Sequence, residues 1–254
     1  MCGICGAVWT DKNGKTSSTE ITSAVLDAMT DSMQHRGPDD KGTFLLPIDE
    51  DNPVGIAFGH RRLSILDLSY AGHQPMFNED GSVVLVFNGE IYNFAELKKQ
   101  LLSSGHIFRG HSDSEVLVHL YEEKQEKMLQ ELNGMFAFAV WDKKRKQLFI
   151  ARDRIGKKPL YYHNGANRFI FGSELKSILA VKDIPREQDN TALDDYLTYQ
   201  YIPHPKTIYK NICKLPPAHY LILNLCNPLK IDGQNLSVVN YRFPALRFPA
   251  SKKR

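Results

Sequence analysis

The run Ser82–Phe87 (SVVLVF) constrains the fold most. It is continuous, apolar and β-branched, so it reads as a strand buried on both faces. Such a strand needs a packed layer on each side. It is expected to end at Asn88-Gly89-Glu90, which Ile91-Tyr92-Asn93 follows. Upstream, Cys2–Thr10 reads as a buried strand followed by a polar turn, and Ser17–Gln34 as a helix with Ile21, Val25, Leu26, Met29 and Met33 on one face. His35-Arg36-Gly37-Pro38 breaks that helix, Ile56–Leu63 is extended, and Ala71–Met76 is a loop.

Helices are expected over Phe94–Leu102, capped by Asn93 and stopped by Gly105, and from Ser112 to Tyr121. Ser112 and Glu115 have capping-box spacing. A further helical piece spans Glu126–Leu132. Two hairpins follow: Met135–Trp141 with Gln147–Arg152, then Pro159–His163 with Arg168–Gly172 around Asn164-Gly165. Ser173–Leu179 is a short helix. Beyond Val181 eight prolines punctuate short apolar pieces, and only Thr191–Tyr199 looks helical, so this part reads as an extended connector. Strands, then helices, then strands again favour an α+β domain of layered sheets over a doubly wound sheet.

Composition enters by exclusion. A formal charge of +3 over 254 residues is too small to imply nucleic acid or a membrane surface. No basic lead with an apolar run opens the chain, and no stretch reaches the roughly 18 apolar residues of a span. Four cysteines do not make a disulfide scaffold, so the expectation is a cytoplasmic protein with reduced thiols. Gly156-Lys157-Lys158 lacks the pattern of a phosphate loop, and there is no Ser-Gly-Gly stretch to grip a pyrophosphate.

Chemistry points to Met1-Cys2-Gly3-Ile4-Cys5-Gly6. With Met1 removed, Cys2 carries a thiol and an α-amine on one residue, a nucleophile beside its own base. Three other readings stand beside it: an ordinary start codon, a thioredoxin-like Cys-x-x-Cys pair, and a zinc site. The pair lacks a preceding strand and a following helix. Cys213 and Cys226, thirteen apart, supply no second close pair for zinc. Cys5 then becomes a small buried hydrophobe. His35, His60, His73 and His111 sit where a base could lie, and spacing selects none of them. Asn88-Gly89 offers a side-chain and a backbone N–H that can both face one oxyanion; its other reading is a plain turn.

Together, Cys2-Gly3-Ile4, His35-Arg36-Gly37-Pro38-Asp39, Arg62-Leu63-Ser64-Ile65, Gln74-Pro75-Met76, Asn88-Gly89-Glu90-Ile91-Tyr92-Asn93, Ser112-Asp113-Ser114-Glu115 and Ala151–Tyr162 resemble, in order, the class II glutamine amidotransferase domain of glutamine-hydrolysing asparagine synthetases. The resemblance implies an αββα sandwich of the N-terminal nucleophile hydrolase type, with glutamine hydrolysed to glutamate and ammonia through a Cys2 thioester. It implies Cys2 as nucleophile, Asn88 and Gly89 as oxyanion hole, and Arg62, Leu63, Ile65, Asn88, Gly89, Glu90 and Asp113 around glutamine. Arg62 takes the α-carboxylate, and Glu90 and Asp113 the α-ammonium.

The expected organisation is an amidotransferase domain over 2–212 and, over 213–254, a connector with the truncated start of a synthetase domain. The ATP-dependent synthetase domain itself is expected to be absent. ATP and Mg2+ belong to that domain, so no cofactor and no metal is expected on this chain. The implied partners are glutamine and an ammonia-accepting synthetase domain or subunit, with a homodimer as an option and neither nucleic acid nor membrane. Two alternatives remain open: ammonia donation to a different acceptor, and a non-catalytic regulatory subunit.

Overall fold

The computed structural model describes residues 1–10, 20–48, 53–64, 70–165, 167–225 and 236–241. The Tyr70 side chain, like Ile65, lies outside this description. Two six-stranded sheets stack face to face. The first runs β10 (Cys213–Lys214), β8 (Tyr161–Gly165), β9 (Arg168–Gly172), β1 (Gly3–Thr10), β3 (Val54–Arg62), β2 (Asp40–Leu46). The second runs β12 (Leu236–Asn240), β11 (His219–Asn224), β7 (Gln147–Arg152), β6 (Gly134–Asp142), β5 (Val83–Ile91), β4 (Met76–Phe77). Neighbouring strands are antiparallel.

Strand periodicity sorts the side chains into three apolar layers. Ile4 and Val8 of β1, Ile56 and Phe58 of β3, and Val84 and Val86 of β5 meet Ala137 and Ala139 of β6 between the sheets. The alternate residues Cys5, Ala7 and Trp9 pack outward against α1 (Ser23–Asp31) and α4 (Leu175–Leu179). Leu85, Phe87 and Ile91 pack against α2 (Phe94–Ser103) and α3 (Asp113–Lys124). The order is helix, sheet, sheet, helix: an α+β four-layer sandwich of the N-terminal nucleophile hydrolase type.

Several boundaries differ from those read off the sequence. α1 begins at Ser23 because the Thr22 hydroxyl caps it, accepting from the Val25 N–H at 3.4 Å. Asn93 precedes α2 without capping it; its side chain clasps the Glu131 carbonyl and the Asn133 N–H instead. Ser112 caps α3, but Glu115 makes no capping box, because its carboxylate accepts from the backbone N–H groups of Arg109 and Gly110. The piece after α3 is a 3-10 helix, Gln125–Gln130. β2 and β4 appear where no strand was expected. The second hairpin turns after Gly165, which pairs with Arg168, so Asn164-Gly165 belongs to the strand.

The segment read as connector contributes α5 (Asn190–Tyr199), β10, β11 and β12 to the same sandwich. Arg152 binds it to the core, donating to the Leu215 carbonyl at 2.6 Å as well as to Lys158 and Gly156. A boundary at 212 therefore cuts between strands of shared sheets.

One polar bridge joins the sheets. His60 of β3 is fully buried, with Nε2 3.1 Å from the Phe87 carbonyl of β5. A carbonyl only accepts, so Nε2 carries the proton and Nδ1 is bare, with no partner among the described residues. Burial pushes the imidazole pKa down to about 3 from an ordinary 6.5. The unfolded chain thus takes up a proton below pH 6.5 that the folded protein refuses until about pH 3. The stability this group contributes is present above pH 6.5 and is lost as pH falls through that window. Thermal melts of His60→Gln are expected to show a shallower decline between pH 6.5 and 4 than the parent.

Candidate active site

Strand parity assembles the site. Cys2 continues the inward-facing series of Ile4 and Val8, Arg62 that of Ile56, Phe58 and His60, and Asn88 and Glu90 that of Val84 and Val86. All four therefore point between the sheets. There they line one cavity of about 140 Å³, together with Leu63, Gly89 and Asp113. Every site residue named from the sequence borders it except Ile65, which lies outside the described residues.

The Cys2 side chain is tied to the end of β3. The Leu63 N–H donates to Sγ at 3.4 Å, and the thiol lies 3.8 Å from the Leu63 carbonyl. Arg36 holds the Cys2 backbone, its Nε donating to the Cys2 carbonyl at 3.0 Å while its NH1 pairs with Glu174 at 2.9 Å. Gly37 lets this loop approach β3: a Cβ there would sit 2.4 Å from the Arg61 carbonyl carbon. The terminal amine belongs to Met1, whose side chain is 57% exposed beside the cavity. Burial lowers the pKa of that amine. Cys5 faces the other side of the strand, fully buried, its thiol pushed up to about 12 by burial. Cys2 and Cys5 thus diverge, and neither a redox pair nor a shared metal ion fits them.

Asn88-Gly89 is no turn. β5 runs through both residues to Ile91, correcting the expected strand end. Asn88 is fully buried, and both its amide oxygen and nitrogen lack a partner among the described residues. The edge of β5 shows why Gly89 matters. The Phe87 N–H donates to Gln74 Oε1 at 2.6 Å and the Ile91 N–H to Asp113 Oδ2 at 2.9 Å. Opposite Gly89, Phe136 spends its N–H and carbonyl on Asp153. The Gly89 N–H, midway between the two occupied ones, faces the same open edge with no acceptor among the described residues. A Cβ at Gly89 would lie 2.3 Å from the Met135 carbonyl oxygen, so only glycine fits. Two donors thus converge on the cavity without a protein partner, and such a vacancy costs free energy unless a ligand fills it.

Burial, first, raises the Asp113 carboxyl above the ordinary value; the Ile91 N–H opposes this, and nearby Glu90 adds to it. The sign follows. The folded protein holds this proton to higher pH than the unfolded chain, so the group's stabilising contribution is full below pH 3.8 and is lost as pH rises through the raised value. Glu90 and Asp113 bring two carboxyl groups to one pocket, a lining that suits a cationic group. Asp113→Asn is expected to melt no lower than the parent at pH 7, while its KM for glutamine rises about tenfold with kcat little changed. Melting curves and initial-rate kinetics check both halves.

Three residues near the cavity were not assigned roles from the sequence: Gln74, Arg36 and Lys158. Lys158 is 4% exposed and lines the cavity, and burial holds its ammonium below the ordinary lysine value while Cys2 opposes that. Asp153 places it, accepting from the backbone N–H groups of Lys157 and Lys158 at 2.9 Å each. The run of Lys157-Lys158 after Gly156 was the available signal; it was weighed as a phosphate loop and quoted within Ala151–Tyr162, without a role of its own.

The four-layer sandwich with its two antiparallel sheets is the fold of the N-terminal nucleophile hydrolase type. Within it, the model of the glutamine amidotransferase domain family matches residues 1–228, and the chain belongs to that family. It is 42% identical over 239 residues to asparagine synthetase [glutamine-hydrolyzing] 3 of Bacillus subtilis, covering 93% of this chain and 36% of that protein. It is 39% identical over 244 residues to a putative asparagine synthetase [glutamine-hydrolyzing] 2 of Methanocaldococcus jannaschii, covering 89% and 44%. The chain thus spans less than half the length of these relatives. Among solved structures, glutamine PRPP amidotransferase from B. subtilis superposes with a TM-score of 0.63 at 19% identity, over 94% of this chain and 49% of that one. That likeness concerns the fold.

Proposed function

We propose that this chain hydrolyses glutamine through a Cys2 thioester and supplies the ammonia to an ATP-dependent synthetase domain or subunit that amidates aspartate. The observation that carries the first half is the pair of vacant donors, Asn88 and Gly89, beside the Cys2 thiol in one cavity.

In this mechanism Met1 is removed and Cys2 becomes the terminus. Its Sγ attacks the side-chain amide carbon of glutamine, and its α-amine takes the thiol proton. The carbonyl oxygen gains negative charge and is held by the Asn88 side-chain N–H and the Gly89 backbone N–H. The ammonium so formed protonates the departing nitrogen, which leaves as ammonia, and a γ-glutamyl thioester remains on Cys2. Water, deprotonated by the same amine, cleaves the thioester to glutamate and restores the thiol. Arg62 pairs with the α-carboxylate of glutamine, and Glu90 and Asp113 with its α-ammonium. These steps use only the chain's own groups; ATP and Mg2+ act in the accepting synthetase.

The second half rests on the asparagine synthetase relatives and on a cluster of exposed large side chains, Tyr196, Leu197, Tyr199 and Tyr201, at and beyond the end of α5. Such a patch suits a protein partner. Among the described residues no helix is long and apolar enough to cross a membrane; a cytoplasmic location is part of the proposal, supported by the free thiols of Cys2, Cys5 and Cys213. The test is ammonia and asparagine formation by the purified chain with glutamine, ATP, Mg2+ and aspartate, with and without a separately expressed synthetase domain from a relative. Glutamate should form in both mixtures and asparagine only with the partner. Glutamate without asparagine in both would remove the aspartate assignment.

A further inference from the structure

We propose that His106, His119 and Glu122 form a binding site for one late first-row divalent metal ion, Zn2+ being the expected occupant, at the turn between α2 and α3. The zinc reading of the sequence looked for a second close cysteine pair or a histidine at finger-like spacing, and these three residues stand apart from the Cys2 cavity.

His119 and Glu122 are three apart on α3, hence on one helix face. His106 reaches them from the turn before that helix. His106 Nδ1 lies 3.2 Å from His119 Nδ1, and His119 Nδ1 lies 3.2 Å from Glu122 Oε2. One donor atom from each of the three residues falls within 4.8 Å of the others. Bonds of 2.0–2.2 Å at tetrahedral angles place ligand atoms about 3.3 Å apart, so both close spacings already fit a shared ion.

The surrounding groups point the lone pairs inward. His106 Nε2 is 3.2 Å from Glu123 Oε1. A carboxylate accepts there, so Nε2 carries the proton and Nδ1 presents its lone pair to His119. Asn78 Nδ2 donates to Glu122 Oε1 at 2.8 Å, leaving Oε2 for the site. Outer partners of this kind orient metal ligands. If His119 Nδ1 held a proton, it could serve only one of its two close neighbours fully. A metal ion serves both. His119 is 3% exposed, and the Phe108 ring packs against its imidazole with centroids 4.7 Å apart, which limits its rotation. A neighbouring cavity of about 440 Å³ is bordered by His119 and Glu79. Glu79 Oε1, 3.9 Å from His119 Nδ1, is within reach as well. Two imidazoles and one carboxylate favour Zn2+ and its row neighbours over Mg2+ or Ca2+.

An ion here would staple the α2–α3 turn to the helix whose first residues, Ser112 to Ser114, border the Cys2 cavity. Its expected effect is on stability. The test is titration of chelator-stripped full-length protein with ZnCl2 by calorimetry, with metal content by mass spectrometry and MgCl2 as control. One equivalent of Zn2+ should bind and raise Tm, and Mg2+ should do neither. His106→Gln and Glu122→Gln, with folding checked by circular dichroism, should each weaken binding at least about tenfold, and Glu123→Gln by roughly 10–100-fold through orientation of His106. The Co2+-loaded protein should show no thiolate-to-metal charge-transfer band. Absence of stoichiometric Zn2+ binding, unchanged affinity in folded His106→Gln, or a thiolate band in the Co2+ spectrum would each overturn the assignment.

Discussion

Replacing Cys2 with alanine is expected to lower the rate of ammonia release from glutamine by roughly four orders of magnitude or more, the scale on which removal of a covalent nucleophile acts. Folding should survive the change. The Cys2 side chain is only partly buried, and its hydrogen-bond partners among the described residues are the Leu63 N–H and carbonyl, at 3.4 and 3.8 Å. The strand that carries it is held independently of the thiol, by β3 and β9 on its two sides and by Arg36 through the Cys2 carbonyl. Ammonia release by assay and Tm by calorimetry on one preparation separate loss of chemistry from loss of structure. The variant should still bind glutamine, because Arg62, Glu90 and Asp113 remain around the cavity.

The second large effect belongs to Asn88. Removing one oxyanion donor costs roughly 10²–10³ in kcat, about 2.7–4 kcal/mol. Asn88→Ala should show that loss with little change in KM. Its stability should move the other way. Both polar atoms of the Asn88 amide are buried and unpartnered among the described residues, and an unmet buried group costs about 1–3 kcal/mol. Alanine removes that penalty, so Tm should stay level or rise. A variant that is slower yet no less stable is what a vacant oxyanion hole requires. A purely structural asparagine would give the reverse: a falling Tm with kcat retained.

Much of this site was legible in the sequence because the chemistry sits in short runs. Asn88-Gly89-Glu90 follows the apolar strand directly, and Arg62-Leu63 closes another, so strand register carries them to the cavity. The role of Gly89 was legible only as a backbone donor; what leaves its N–H open is the use of its neighbours' N–H groups by Gln74 and Asp113. Those partners lie 13 and 22 residues away, beyond any local pattern. Arg36 escaped for the same reason, and Lys158 because only the folded loop carries it to the cavity. Lys158 sits on a loop shaped by nearby Asp153, and Arg36 crosses to Cys2 and Glu174.

Fold class was readable from alternation of strands and helices, and most strand positions followed. β2 was missed because its sequence, DKGTFLL, mixes polar and apolar residues on a half-exposed edge. The prolines after Val181 suggested a connector, yet proline is tolerated between strands, and the short apolar runs there pair with β7 and β8. Capping predictions failed at Asn93 and Glu115 because distant or neighbouring backbone groups competed for the same side chains.

The most direct test of the account is to identify the residue that carries the glutamyl group. Protein turning over glutamine is quenched in acid and its N-terminal peptide is sequenced by mass spectrometry. The account predicts a chain that begins at Cys2, without Met1, with a γ-glutamyl adduct on the Cys2 sulfur that is absent from Cys2→Ala. Full turnover by protein that retains Met1, or an adduct on any other residue, would contradict it.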